Sequence, residues 1–173
     1  METKILTNRI DTATGEVLSS VWLTLPTNVD YVKEAAGINA DTDELEILES
    51  GFAFDLPERM SLSNLNKLVA RIDELGFDSP YIKNIKAIVE KWFGSVFECL
   101  DGKEEISIYE ETTFISLAER FIKRKNGWSY IPPKMREFFD LSAYASSIES
   151  TGEFLATDSG IFYKRKGKTK TAE

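Results

Sequence analysis

The chain of 173 residues contains no histidine and one cysteine, Cys99. Without histidine there is no Ser–His or Cys–His nucleophile pair and no imidazole metal ligand. The side chain that most often acts as a general base near neutral pH is missing too. One cysteine allows neither an internal disulfide nor a thiolate zinc site, so Cys99 reads as a small buried hydrophobe in a reducing cytoplasm. Among only ten glycines neither a P-loop nor a GxGxxG phosphate cradle occurs. No run approaches the roughly 18–20 apolar residues that span a bilayer. The opening METKILTNR lacks the basic start and apolar core of a secretion signal. These gaps leave no visible carrier for cofactor, metal or membrane function, and the expected location is cytoplasmic.

What the chain does have is acid, unevenly spread. Residues 1–111 hold 22 acids against 10 bases, and residues 112–160 hold six of each. Residues 161–173 hold five bases and one acid, and the whole chain carries −8. The densest stretch, DTDELEILES at 41–50, sets Asp41, Asp43, Glu44, Glu46 and Glu49 among Leu45, Ile47 and Leu48. As a calcium loop it fails: Leu45 stands where a third oxygen is needed, Glu46 replaces the turn glycine, and Phe52 takes the bidentate position. A paired-carboxylate hydrolase has no specific signal, because any two of 29 acids could meet in space.

Further acids follow the same trend. Asp30 and Glu34 lie four apart, on one face of a helix. Asp55, Glu58, Asp73, Glu74 and Asp78 extend the series. A net of −12 equals the phosphate charge of roughly 20 Å of duplex, at about 1.7 Å per charge. One reading is an ordinary solvated acidic surface. Another is a face that occupies a DNA-binding channel, with the acids of residues 30–78 exposed together and Leu45, Ile47, Leu65, Leu68 and Ile72 buried beneath. A third makes RFIKRK at 120–125 and the basic end at 164–170 direct contacts to DNA.

Periodicity divides the chain into short elements. TKILTNRI and EVLSSVWLTL flank DTATG as a hairpin, with Val21, Leu23 and Leu25 on one face and Trp22 and Thr24 on the other. TNVDYVKEAAG predicts a short helix capped by Thr27 or Asn28 and stopped at Gly37. ELEILESGFAF predicts one strand with its acids on one side. SLSNLNKLVARIDELG and SPYIKNIKAIVEKWFG predict two amphipathic helices, and SVFECLDG a shorter one. EEISIYE reads as a strand, TTFISLAERFIKRKNG as a helix, and LSAYASSIES as a helix capped by Asp140. FLATDSGIFYK closes as a hairpin around Asp158-Ser159-Gly160. The class is α+β, in three small domains: 1–60 (α+β), 61–103 (helical) and 104–163 (α+β), with a basic tail at 164–173.

Four stretches in order resemble the ArdA family of antirestriction proteins. They are VLSSVWLTLPTNVDYVKEA, DELEILESG, SLSNLNKLVARIDELG and FFDLSAYASSIESTGEFLATDSGIFY. The resemblance runs from about residue 5 to 163. It implies an elongated, curved, usually dimeric protein whose acidic surface mimics bent B-DNA. Such a protein occupies the DNA site of Type I restriction-modification enzymes, without catalysis or cofactor. The acids at 30, 34, 41, 43, 44, 46, 49, 55, 58, 73, 74 and 78 would then stand in for phosphates. The alternative is the same fold turned on another nucleic-acid enzyme, such as a CRISPR nuclease. Asn64, Asn66, Lys67 and Arg71 depart from the pattern, standing where acids are typical.

Overall fold

The computed structural model describes residues 1–124 and 126–165. It is an α+β structure of short helices and small antiparallel sheets. The packing divides at Lys86–Ala87 into two compact units. That point lies inside the helix Ile85–Trp92 and does not coincide with the boundaries expected near residues 60 and 103.

In the first unit, β1 (Lys4–Ile10) and β2 (Val17–Thr24) form the expected hairpin, in register from Lys4 opposite Thr24 to Arg9 opposite Ser19. Asp11 locks the turn: its Oδ1 accepts from the backbone N–H of Ala13 (2.8 Å) and Thr14 (3.0 Å). Ile5, Thr7 and Leu23 are buried, whereas Trp22 and Thr24 face solvent. The hydroxyl of Thr7 has no hydrogen-bond partner among the described residues. Helix α1 (Val29–Ala36) starts at Asn28, whose side chain accepts from Tyr31 N–H (2.8 Å), and stops at Gly37. Gly37 has φ 72°, and a Cβ there would collide with the Ile10 carbonyl oxygen. Only glycine meets both demands.

The acidic stretch is not the single strand that alternation predicts. Leu45–Glu46 (β3) pairs with Arg59–Met60 (β5), while Glu49–Ser50 (β4) pairs with β1 through Leu6 opposite Glu49. The hand-over falls between two residues: Ile47 N–H donates to Glu58 O (2.7 Å) and Leu48 N–H to Leu6 O (2.9 Å). Because the chain changes sheets there, its two-residue period breaks. Leu45 is fully buried, Ile47 is only half-buried rather than buried, and Leu48 is 46% exposed. β5, at two residues, is too short to show in a periodicity.

Helix α2 (Leu62–Leu75) is capped by Ser61 and buries Leu62, Leu65, Leu68, Val69 and Ile72. Asn66 clasps the chain just ahead of α1, with Oδ1 accepting from Thr27 N–H (3.1 Å) and Nδ2 donating to Thr27 O (2.7 Å). A carboxylate could accept the first bond but could not donate the second. That is a local reason for asparagine rather than an acid at this position. The next predicted helix is in fact two, α3 (Pro80–Lys83) and α4 (Ile85–Trp92). The break is at Asn84, whose backbone leaves the helical region (φ −110°, ψ 11°) while its N–H (3.2 Å) and its side-chain amide (2.8 Å) both donate to Pro80 O.

The second unit continues with α5 (Val96–Asp101), which buries Cys99. Strands β6 (Ile106–Tyr109), β7 (Phe154–Thr157) and β8 (Gly160–Lys164) form an antiparallel sheet in the order β6-β8-β7. On it pack α6 (Phe114–Arg124), through Leu117 and Ala118, and α7 (Leu141–Ser150), through Ala145 and Ile148. Tyr109, Phe121, Phe154 and Tyr163 flank that core with ring centroids 4.9–6.4 Å apart. Asp140 caps α7 as expected, accepting from Ala143 N–H (2.8 Å). Between α6 and α7, two 3-10 turns leave Tyr130 and Phe138 prominently exposed.

Candidate acidic interaction surface

All twelve acids singled out from the sequence lie in the first unit, and all are exposed. Asp30 and Glu34 project from α1, whose Val32 and Ala36 are buried. Asp41, Asp43 and Glu44 sit on the irregular stretch before β3, Glu46 on β3 and Glu49 on β4. Asp55 and Glu58 follow in the loop to β5. Asp73 and Glu74 occupy the last turn of α2, and Asp78 precedes α3. Beneath them Leu45, Leu65, Leu68 and Ile72 are fully buried.

Local partners of these carboxylates are few. Among the described residues two of the twelve make ion pairs, Asp55 with Lys86 (3.2 Å) and Asp78 with Lys83 (3.4 Å). Both pairs are exposed, so each holds its carboxylate weakly. Glu46 is held differently: Asn8 Nδ2 on β1 donates to its Oε2 (2.8 Å), and in register it stands opposite Arg59. The partnership of Asn8 and Glu46 spans 38 residues, so no local signal in the sequence could have revealed it.

A shallow depression of about 360 Å³ opens beside this group. Asn8, Asp11, Asp43, Glu44, Glu46 and Arg59 line part of it. Among the described residues no cluster of three or more acids or cysteines is arranged to hold a metal ion. Two acids outside the twelve are electrostatically tuned. The Lys4 ammonium beside Glu2 lowers its pKa, and the two backbone N–H donors in the hairpin turn lower that of Asp11.

Three basic residues of the second unit, Arg120, Lys123 and Lys164, are engaged within that unit. Arg120 binds both oxygens of Glu111 (3.0 and 2.9 Å) and lies over the Tyr109 ring. Lys123 pairs with Glu119 (3.8 Å). Lys164 ends β8, donates to Trp92 O (3.2 Å), and sits 3.8 Å above the Phe93 ring. It is a residue of the folded sheet rather than of a tail. The expectations for Lys125 and for residues 166–173 fall outside the described residues.

The chain is thus an α+β protein whose first unit turns an acid-rich, sparsely paired surface to solvent. It belongs to the ArdA antirestriction protein family, whose model matches residues 14–163. No curated protein matches the chain. Among the described residues no helix is long and apolar enough to cross a membrane.

Proposed function

We propose that the carboxylates of residues 30–78 stand in for DNA phosphates and occupy the DNA-binding site of a Type I restriction-modification enzyme. On this reading the protein is an inhibitor, not an enzyme. It needs no cofactor, acts in the cytoplasm and does not bind nucleic acid itself. The observation that carries the reading is the combined exposure of all twelve acids, two of which make ion pairs among the described residues.

The placement of Asp73 and Glu74 adds a physical argument. Acids in the last turn of a helix oppose its dipole, and the last turn of α2 holds no base. Each such charge works against the helix by about 0.3–1 kcal/mol. A local preference overridden in this way is what a functional demand on charge produces. Of the bases that a direct DNA-binding reading would use, Arg120, Lys123 and Lys164 are tied to partners within the fold, while Arg124 and Arg165 are exposed.

Competition is the direct test. Increasing amounts of the protein should displace a duplex from a purified Type I methyltransferase, more effectively at low salt than at high salt. The salt slope should be shallower than that of the duplex, because protein carboxylates condense fewer counterions. Failure to displace the duplex at any salt concentration would sink the reading. A homodimer is part of the proposal, since doubling extends the charged path. Light scattering that gives only the 19.6 kDa monomer at micromolar concentration would refute that part.

A further inference from the structure

The sheet β2-β1-β4 has two unlike faces. One face carries Ile5, Thr7 and Leu23, all fully buried. Register places Trp22, Leu6 and Glu49 in one row across the other face, with Ser20 and Asn8 in the next row. Asn8 holds Glu46 on that same side. Neighbouring strands are about 4.8 Å apart, so Trp22 and Glu49, two strands apart, are about 10 Å from one another.

The apolar part of this face is unusual. Strand β2 is an edge strand of eight residues, and VLSSVWLT contains no charged side chain. Edges normally carry charge, proline or a cover that blocks pairing. Here Trp22 is 42% exposed, and at the start of the strand, where the register shifts between Arg9 and Ile10, Val17 and Leu18 are 61% and 60% exposed. Lys4 reaches over the Trp22 ring at 4.9 Å and also pairs with Glu2, which steadies the indole. A large aromatic held at the surface beside charges is the usual make-up of an interface hot spot.

We infer that Trp22, supported by Leu18, is the apolar anchor of the inhibitory surface. It packs on the protein wall that borders the cationic, duplex-binding cleft of the target enzyme, while Glu46 and Glu49 engage the cleft's bases. The inference rests on the proposed function and adds what phosphate mimicry alone lacks. Charge complementarity selects the occupant: Glu46 and Glu49 lie on this side and the unit that carries it has 15 acids against 8 bases, so a basic wall suits it better than a second copy of itself. Affinity from Trp22 comes from burial of apolar surface, which salt does not screen. The two contributions are therefore separable by experiment.

The test compares full-length Trp22→Ala, Trp22→Phe and Leu18→Ser with the double variant Glu46→Gln/Glu49→Gln. Dissociation constants for a purified Type I methyltransferase are measured across a salt series. Trp22→Ala should weaken binding by about 10- to 50-fold at every salt concentration and leave the slope unchanged. Trp22→Phe should recover part of the loss. The double acid variant should weaken binding only a few-fold and flatten the slope. If Trp22→Ala lowers the melting temperature, Leu18→Ser decides by the same criterion. Unchanged affinity in the Trp22 and Leu18 variants, with weakened acid variants, would overturn the anchor and leave the mimicry standing. If the wild-type protein does not bind, the mimicry itself has failed. A Trp22→Ala variant that turns a dimer into a monomer in light scattering would assign the face to self-association and overturn the inference as well.

Discussion

The two units differ in how far their charge is balanced. The first, ending at Lys86, has 15 acids and 8 bases; the second has 14 and 13 in the sequence to residue 173. In the second, Glu111 grips Arg120 with both oxygens and Lys164 is enclosed by Glu105, Trp92 and Phe93. In the first, carboxylates such as Asp41, Glu44 and Glu49 stand exposed above a core of Leu45, Leu65 and Ile72. The contrast teaches that acid content alone does not make an interaction surface. A carboxylate bound to a neighbouring base helps to hold the fold, and one left in solvent keeps its field for a partner.

The strongest way to break this comparison is to neutralise equal numbers of acids in each unit. Asp41→Asn, Asp43→Asn, Glu44→Gln, Glu46→Gln and Glu49→Gln together should weaken target inhibition by about 1–5 kcal/mol, since each exposed charge contributes about 0.2–1 kcal/mol. Neutralising the exposed Glu90, Glu104, Glu110, Glu137 and Glu149 should change inhibition less than about twofold. Equal losses from the two sets, in a restriction-cleavage assay, would mean that only net charge matters. All-or-none loss from a single carboxylate would instead point to a catalytic or metal site.

Stability offers a second comparison, one glycine from each unit. Gly37 (φ 72°) and Gly160 (φ 136°) each leave no room for a Cβ, which would strike the carbonyl oxygen of Ile10 or Tyr109. Gly37→Ala and Gly160→Ala should each cost about 3 kcal/mol, read from denaturant unfolding. A melting curve unchanged in either variant would show that the backbone there can relax.

Thr7 should give a change of opposite sign. Its buried hydroxyl lacks a partner among the described residues, and an unmade hydrogen bond costs about 1–3 kcal/mol. Thr7→Val keeps the branched shape a strand prefers, and should stabilise the protein by about 1 kcal/mol. A lower melting temperature would show that the hydroxyl is satisfied in solution.

The smallest effect belongs to Asp11. Because its folded pKa is lowered by the turn N–H groups, its contribution is complete above the ordinary aspartate value. It is lost as the pH falls through the lowered value. The Ala13 and Thr14 amide shifts should therefore titrate below the ordinary aspartate midpoint in NMR, and Asp11→Asn should abolish that titration. A midpoint at or above the ordinary value would remove the turn bonds as its cause.

Much of this organisation is carried by local chemistry and can be read without coordinates. Asn28, Ser61 and Asp140 announce helix starts because a short polar side chain can cap only nearby N–H groups. The hairpin of β1 and β2 and the buried face of α2 follow from periodicities that a few residues suffice to display. Cys99 is buried as its chemistry suggests. The breaks in pattern were not legible. The helix breaks at Asn84 within a well-formed amphipathic run, and residues 45–50 change sheets midway, which no alternation can encode.

The sequence by itself determined the inventory: an α+β chain, acid-rich toward its start, with no histidine chemistry and with caps and periods for most of its elements. Those are properties of composition and of contacts a few residues long. Only the tertiary structure decided which charges are free. Asn8 reaches Glu46 across 38 residues, Asn66 reaches Thr27 across 39, and Trp22 shares a row with Glu49 because both strands pair with β1. Burial and pairing are set by residues distant in the chain. The same carboxylate is therefore a structural tie or an exposed charge according to what folding brings beside it.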